Sequence, residues 1–96
     1  MALLPARVAQ RAGLSGVVIE RVEAGSAAAS AGLRGLSLEG GRMRLGDIIV
    51  AVDDKPVTSP DDLFHVLESR SAGEEVRLKI RRDGATQTLT LTLQAG

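Results

Sequence analysis

The last third of the chain carries the pattern that leaves it the fewest ways to fold. Val76, Leu78 and Ile80 alternate with Arg77, Lys79 and Arg81, while Leu89, Leu91 and Leu93 alternate with Thr88, Thr90 and Thr92. Period-two alternation puts every second side chain on the same face of a strand. Between the runs, Asp83-Gly84 suits the left-handed two-residue turn whose twist matches the strands it joins. The segment is predicted to be a β-hairpin with one apolar face. A lone two-stranded hairpin is marginal in water, so the rest of the chain must supply the cover.

The upstream residues offer that cover in short pieces. Pro5 suits the first turn of a helix over Ala6 to Ala12, with Gly13 placed to end it. Gly16 to Val22 contains the β-branched run of a largely buried strand. Ser26 can cap a short helix over Ala27 to Ala31, closed by Gly32. Arg34 to Arg42, with Gly40-Gly41 inside it, is expected to be a flexible loop. Leu45-Gly46-Asp47 then turns into a buried strand over Ile48 to Val52. Asp53-Asp54-Lys55 reverses the chain before a short edge segment at Pro56-Val57. Thr58 or Ser59 can cap a helix from Pro60 to about Ser69, with Asp61 and Asp62 in its first turn favoured by the helix dipole. The order strand, helix, strand, helix, hairpin predicts a small α+β domain rather than a parallel sheet.

Composition narrows the function. With 96 residues, one core and one binding surface are the most to expect. Apolar residues make up 44% and charged residues 25%, enough of the first for the chain to fold alone. Twelve Lys+Arg balance twelve Asp+Glu, which argues against nucleic acid and anionic membrane as partners. No apolar run reaches the roughly 18 residues of a membrane span. Cysteine is absent, which excludes thiol chemistry and leaves the compartment open. Opening on Met1-Ala2-Leu3-Leu4 without a leader is expected of a domain excised from a larger protein.

The candidates for chemistry have simpler readings. His65 is the only histidine, and with Asp61 four residues earlier it makes a helix-surface pair rather than half of a triad. No serine lies in a nucleophile elbow, so no catalytic residue is assigned. Asp53-Asp54 and Asp61-Asp62 read as a turn and a helix start, so neither a metal site nor a cofactor is expected. The glycines match no phosphate-binding loop.

Taken in order, Gly16-Val17-Val18-Ile19, Ser26-Ala27-Ala28, Ala31-Gly32-Leu33, Leu45-Gly46-Asp47-Ile48-Ile49, Val52 and Val57 resemble the PDZ domains that follow the protease domain in HtrA/DegP-type trypsin-like serine proteases. Each piece is weak alone, and their order and spacing across nearly the whole chain are specific. The resemblance implies one PDZ domain over 1–96, a small antiparallel sheet or partial barrel flanked by two main helices. It implies recognition of extended or C-terminal peptide segments by strand addition, in the service of substrate recognition or regulation of a parent protease and of protein quality control. The implied partners are peptide or unfolded-protein segments, including free C-termini, and the parent's protease domain in a homo-oligomeric parent. A periplasmic or other cell-envelope location is implied too.

A peptide that adds as a strand needs an open sheet edge and an apolar helix face beside it. Pro60, Leu63, Phe64 and Leu67 follow the spacing of one broad helix face, widened by Val66. Spacing alone leaves open whether all of them are core. By the resemblance, Pro60, Phe64 and Leu67 face the groove, Leu63 and Val66 face the core, and Leu3 and Leu4 are the strand residues lining it. The family's carboxylate-binding loop precedes that strand, and Met1 to Pro5 are expected to hold only the loop's end and the strand. Two rivals remain: an oligomer-assembly domain using the same edge and the 34–42 loop, and a fragment contributing residues to an enzyme's active site.

Overall fold

A computed structural model describes residues 1–93. Eight strands and three helices follow in order: β1 (Ala2–Leu3), α1 (Ala6–Arg11), β2 (Val17–Arg21), α2 (Ala27–Ser30), β3 (Ser37–Glu39), β4 (Arg42–Arg44), β5 (Ile48–Val52), β6 (Lys55–Pro56), α3 (Pro60–Glu68), β7 (Glu75–Arg82) and β8 (Ala85–Thr92). The main sheet runs β1-β2-β5-β7-β8, with β6 paired to β5, and every pairing is antiparallel. It stays open, with β1 and β8 as its ends. This is the α+β architecture expected.

The β7–β8 hairpin forms as expected, with Arg82 opposite Ala85 and Leu78 opposite Leu89. Asp83 and Gly84 both take positive φ, 51° and 79°, which is the left-handed turn that the sequence called for. Its inward face, Val76, Leu78, Ile80 and Leu91, is buried against Val17, Ile19, Ile49, Val52, Val57 and Leu63. Burying side chains of this kind contributes roughly 1.5–3 kcal/mol each relative to exposure, so this cluster is the main stabilising term.

One expectation fails. The stretch read as a flexible loop contains a second hairpin, β3 against β4, with Leu38 opposite Met43. Gly40 and Gly41, with φ of 58° and 78°, form its two-residue turn. Paired glycines suit a loose loop, but a Gly-Gly pair flanked by Leu36, Leu38, Met43 and Leu45 at alternate positions is itself a hairpin signal.

The Leu45-Gly46-Asp47 turn is a packing device. A Cβ on Gly46 would stand 2.3 Å from the backbone oxygens of Arg34 and Gly35, so only glycine lets these segments meet. Asp47 is fully buried. Its Oδ2 accepts from the Arg34 backbone N–H at 2.9 Å and from Arg82 Nη2 at 2.7 Å, and its Oδ1 accepts from Arg82 Nε at 2.7 Å. Arg82 Nη2 also donates to the Gly32 carbonyl at 2.8 Å. One carboxylate and one guanidinium thus tie the segment after α2 to the end of β7.

Candidate functional site

Local chemistry fixes α3 at both ends. Ser59 Oγ accepts from the Asp62 N–H at 3.2 Å and Pro60 fills the first turn, as predicted. Asp62 Oδ2 accepts in turn from the Thr58 N–H at 3.0 Å and the Thr58 hydroxyl at 2.8 Å. Those two bonds favour the charged form and hold the Asp62 carboxyl below the ordinary aspartate range. Beyond the helix, Arg70 Nη2 lies 3.0 Å from Asp53 Oδ2, and Asp53 Oδ1 accepts from the Arg77 N–H at 2.8 Å. The turn between β5 and β6 therefore anchors the end of α3.

This anchoring sets which face of α3 is left open. Leu63 is fully buried, and Val66 and Leu67 are half-buried against the same core cluster. Pro60 is half-buried. Phe64, the only aromatic residue, is 48% exposed. A phenyl ring normally seeks burial, so a ring left half in water beside a packed helix face is the conspicuous apolar feature of α3.

The strand residues divide. Leu3 lies on β1 opposite Ile19 and packs against the core cluster that also receives Leu67. Because the Ile19 N–H donates to the Asp47 carbonyl and the Leu4 N–H to the Val18 carbonyl, the N–H and C=O of Leu3 turn away from β2 toward the open edge. Leu4 is half-buried just past β1, where the chain leaves for α1. The structure thus brings Leu3 and Leu67 onto one cluster and leaves Phe64 exposed on the helix. Two clefts lie away from the five expected groove residues, one between Gly13, Arg44, Arg81 and Gly84 and another beside Leu36, Leu38 and Met43.

His65 is exposed on α3. Among the described residues no cluster of three or more His, Cys, Asp or Glu side chains could hold a metal ion. Among them, too, no helix is long and apolar enough to cross a membrane. The anchors that the sequence reading passed over are Asp47 with Arg82 and Asp53 with Arg70. Partners 35 and 17 positions apart leave no periodic trace, and only the Leu-Gly-Asp step hinted at the first.

A family model described as "PDZ domain" matches residues 4–93, nearly the whole chain. The chain is a PDZ domain. Its similarity extends to Protease Do-like 8, chloroplastic, of Arabidopsis thaliana, 41% identical over 81 residues covering 83% of this chain and 18% of that protein. Protease Do-like 1, chloroplastic, of the same plant is 31% identical over 94% of this chain and 21% of its own length. Serine protease Do-like HtrA of Lactococcus lactis is 37% identical over 81% of this chain and 17% of its own. The domain is therefore of the HtrA type, and it spans about a fifth of the length of these relatives.

Proposed function

We propose that this PDZ domain binds extended or C-terminal peptide segments by strand addition at the open edge of β1, and that it serves substrate recognition or regulation in a parent serine protease. The chain carries no part of that catalysis: the proteolysis belongs to the rest of such a protein. The observation that supports the groove best is Phe64, exposed on α3 between half-buried Pro60 and Leu67. A peptide laid along β1 would pair with the outward N–H and C=O of Leu3 and place an apolar terminal side chain against Leu3, Phe64 and Leu67. Leu4 and Pro60 would border the two ends of that contact.

A paired measurement tests this reading, with peptide titration and denaturant unfolding run on Phe64→Ala and Val66→Ala in one buffer. Truncating one anchor of a small site costs roughly 2 kcal/mol of binding, about thirtyfold in affinity. Val66→Ala should act mainly on stability, by about 1 to 3 kcal/mol for a half-buried side chain. If Phe64→Ala is the more destabilising and leaves affinity unchanged, the ring belongs to the core and the groove assignment is wrong.

The β3–β4 hairpin supports a second reading, assembly with neighbouring subunits. Leu38 and Met43 face each other across it, 72% and 62% exposed. Leu38→Ser with Met43→Ser should then abolish any concentration-dependent self-association seen by sedimentation and leave peptide affinity unchanged. A domain that stays monomeric at every concentration removes this reading.

A further inference from the structure

The other end of the sheet is chemically unlike β1. β8 is eight residues long and is an end strand, paired only with β7 among the described residues. In a hairpin closed by a two-residue turn, Arg82 and Ala85 form the first hydrogen-bonded pair, and such pairs recur at every second position. The Leu93 N–H, which donates to the Glu74 carbonyl at 2.9 Å, keeps that phase. It follows that Thr86, Thr88, Thr90 and Thr92 aim their backbone N–H and C=O groups at the open edge.

Those threonines stand opposite Arg81, Lys79, Arg77 and Glu75, respectively. Three cations therefore project from the solvent face of β7, at alternate positions about 7 Å apart. None of the three joins a salt bridge among the described residues. Asp53 and Asp54 border a cleft with Arg77 and Lys79, but Asp53 is held by Arg70. The zero net charge of the chain conceals this local excess.

We propose that the β8 edge is a second strand-addition site, for an extended segment with acidic residues at alternate positions. A strand added to β8 would lie about 10 Å from β7, two strand spacings away. The intervening threonines are short, so an extended arginine or lysine and a glutamate can meet across them. Alternate positions on the added strand repeat at the same 7 Å as the cations, so three carboxylates can be matched in register. A second copy of this chain is the poorer occupant, because a β8 strand presents threonines and no carboxylates at the alternate positions and would leave both cationic rows unmatched. Toward the Thr92 end α2 packs beside β8, with a cleft lined by Ala27, Ser30, Ala31, Thr90 and Thr92 between them, so the added strand would run along Thr86, Thr88 and Thr90 and end at that cleft.

The test uses the domain as it stands. A short peptide alternating Val and Glu, acetylated and amidated so that it has no free carboxylate terminus, is titrated beside its Val and Lys counterpart. The acidic peptide should bind at least about tenfold tighter, and its affinity should fall as salt rises from about 0.01 M to about 0.15 M. It should slow exchange of the Thr86, Thr88 and Thr90 amides, and N-methylation of alternate peptide residues should abolish binding. Arg77→Ser with Lys79→Ser and Arg81→Ser should weaken it about tenfold or more, while Phe64→Ala should not change it. Equal binding of the two peptides, binding that survives N-methylation, protection that maps to β1, or no binding at millimolar peptide would each overturn the proposal.

Discussion

Asp47 is where a single atom group is asked to do the most, and Asp47→Ala measures how much. The substitution removes the acceptor of three hydrogen bonds, from the Arg34 backbone N–H and from Nε and Nη2 of Arg82. Arg82 has a side chain only 15% exposed, so its guanidinium would keep one protein partner, the Gly32 carbonyl, and little water. Stranding one member of a buried ion pair costs roughly 3–5 kcal/mol. Domains of this size have a total stability of about 5–15 kcal/mol, so the variant should lie near the edge of folding. At about 4–8 °C per kcal/mol for a domain under 100 residues, its Tm should drop by at least roughly 12 °C. The control is the double variant Asp47→Ala with Arg82→Met, which removes both charges. If the penalty comes from the stranded cation, the double variant should be clearly more stable than the sum of the two single changes, by more than about 1 kcal/mol in a double-mutant cycle. Thermal and urea unfolding followed by circular dichroism measure both. Strict additivity, or a loss below about 1 kcal/mol for Asp47→Ala alone, would refute the account of the pair.

Two further expectations concern elements that the sequence marked more openly. Gly46→Ala should destabilise the domain by roughly 1–3 kcal/mol, since the new methyl meets backbone oxygens that cannot rotate away; an unfolding midpoint equal to that of the parent would contradict the close approach. Asp62 has a carboxyl held below its ordinary range by Thr58, so its contribution is present above about pH 4 and is lost as pH falls through the folded value. Thr58→Val, which removes the hydroxyl bond and keeps the backbone one, should flatten part of that acid-side loss of stability in unfolding curves taken between pH 2 and pH 6, and Asp62→Asn should flatten it further; a pH profile unchanged in Asp62→Asn would show that this carboxyl is not its source.

The parts of the fold visible in the sequence were those set by neighbours along the chain. The β7–β8 alternation, the Asp83-Gly84 turn and the Ser59-Pro60 helix start depend on residues a few positions apart, and each was found where it was expected. The β3–β4 hairpin was equally local and was still missed. Gly40-Gly41 is compatible with a loose loop and with a tight turn, and only the alternation of Leu36, Leu38, Met43 and Leu45 separates the two. Phe64 shows the other limit. Helical spacing put it in one stripe with Leu63 and Leu67, and whether a member of that stripe is buried depends on how Arg70 and Asp53 seat the helix. Contacts of that kind cross the chain and have no period.

The two ends of the sheet offer main-chain groups of the same kind and differ in how many they offer and in what surrounds them. β1 is two residues long, so a strand added there would gain few backbone bonds, and under the proposed function the side chains of Leu3, Leu67 and Phe64 would have to carry recognition. Apolar contact of that sort changes little with salt. β8 is eight residues long and offers four outward threonines, enough backbone for pairing with almost any extended segment. An edge so permissive would invite aggregation unless something rejected most comers, and under the proposal the row Arg77, Lys79 and Arg81 would select among them by charge. Under the proposal those cations would attract a carboxylate-bearing strand and gain nothing from a second copy. Under the two proposals selectivity on β8 would be electrostatic and on β1 apolar, so the two edges could be occupied at once by segments of different composition.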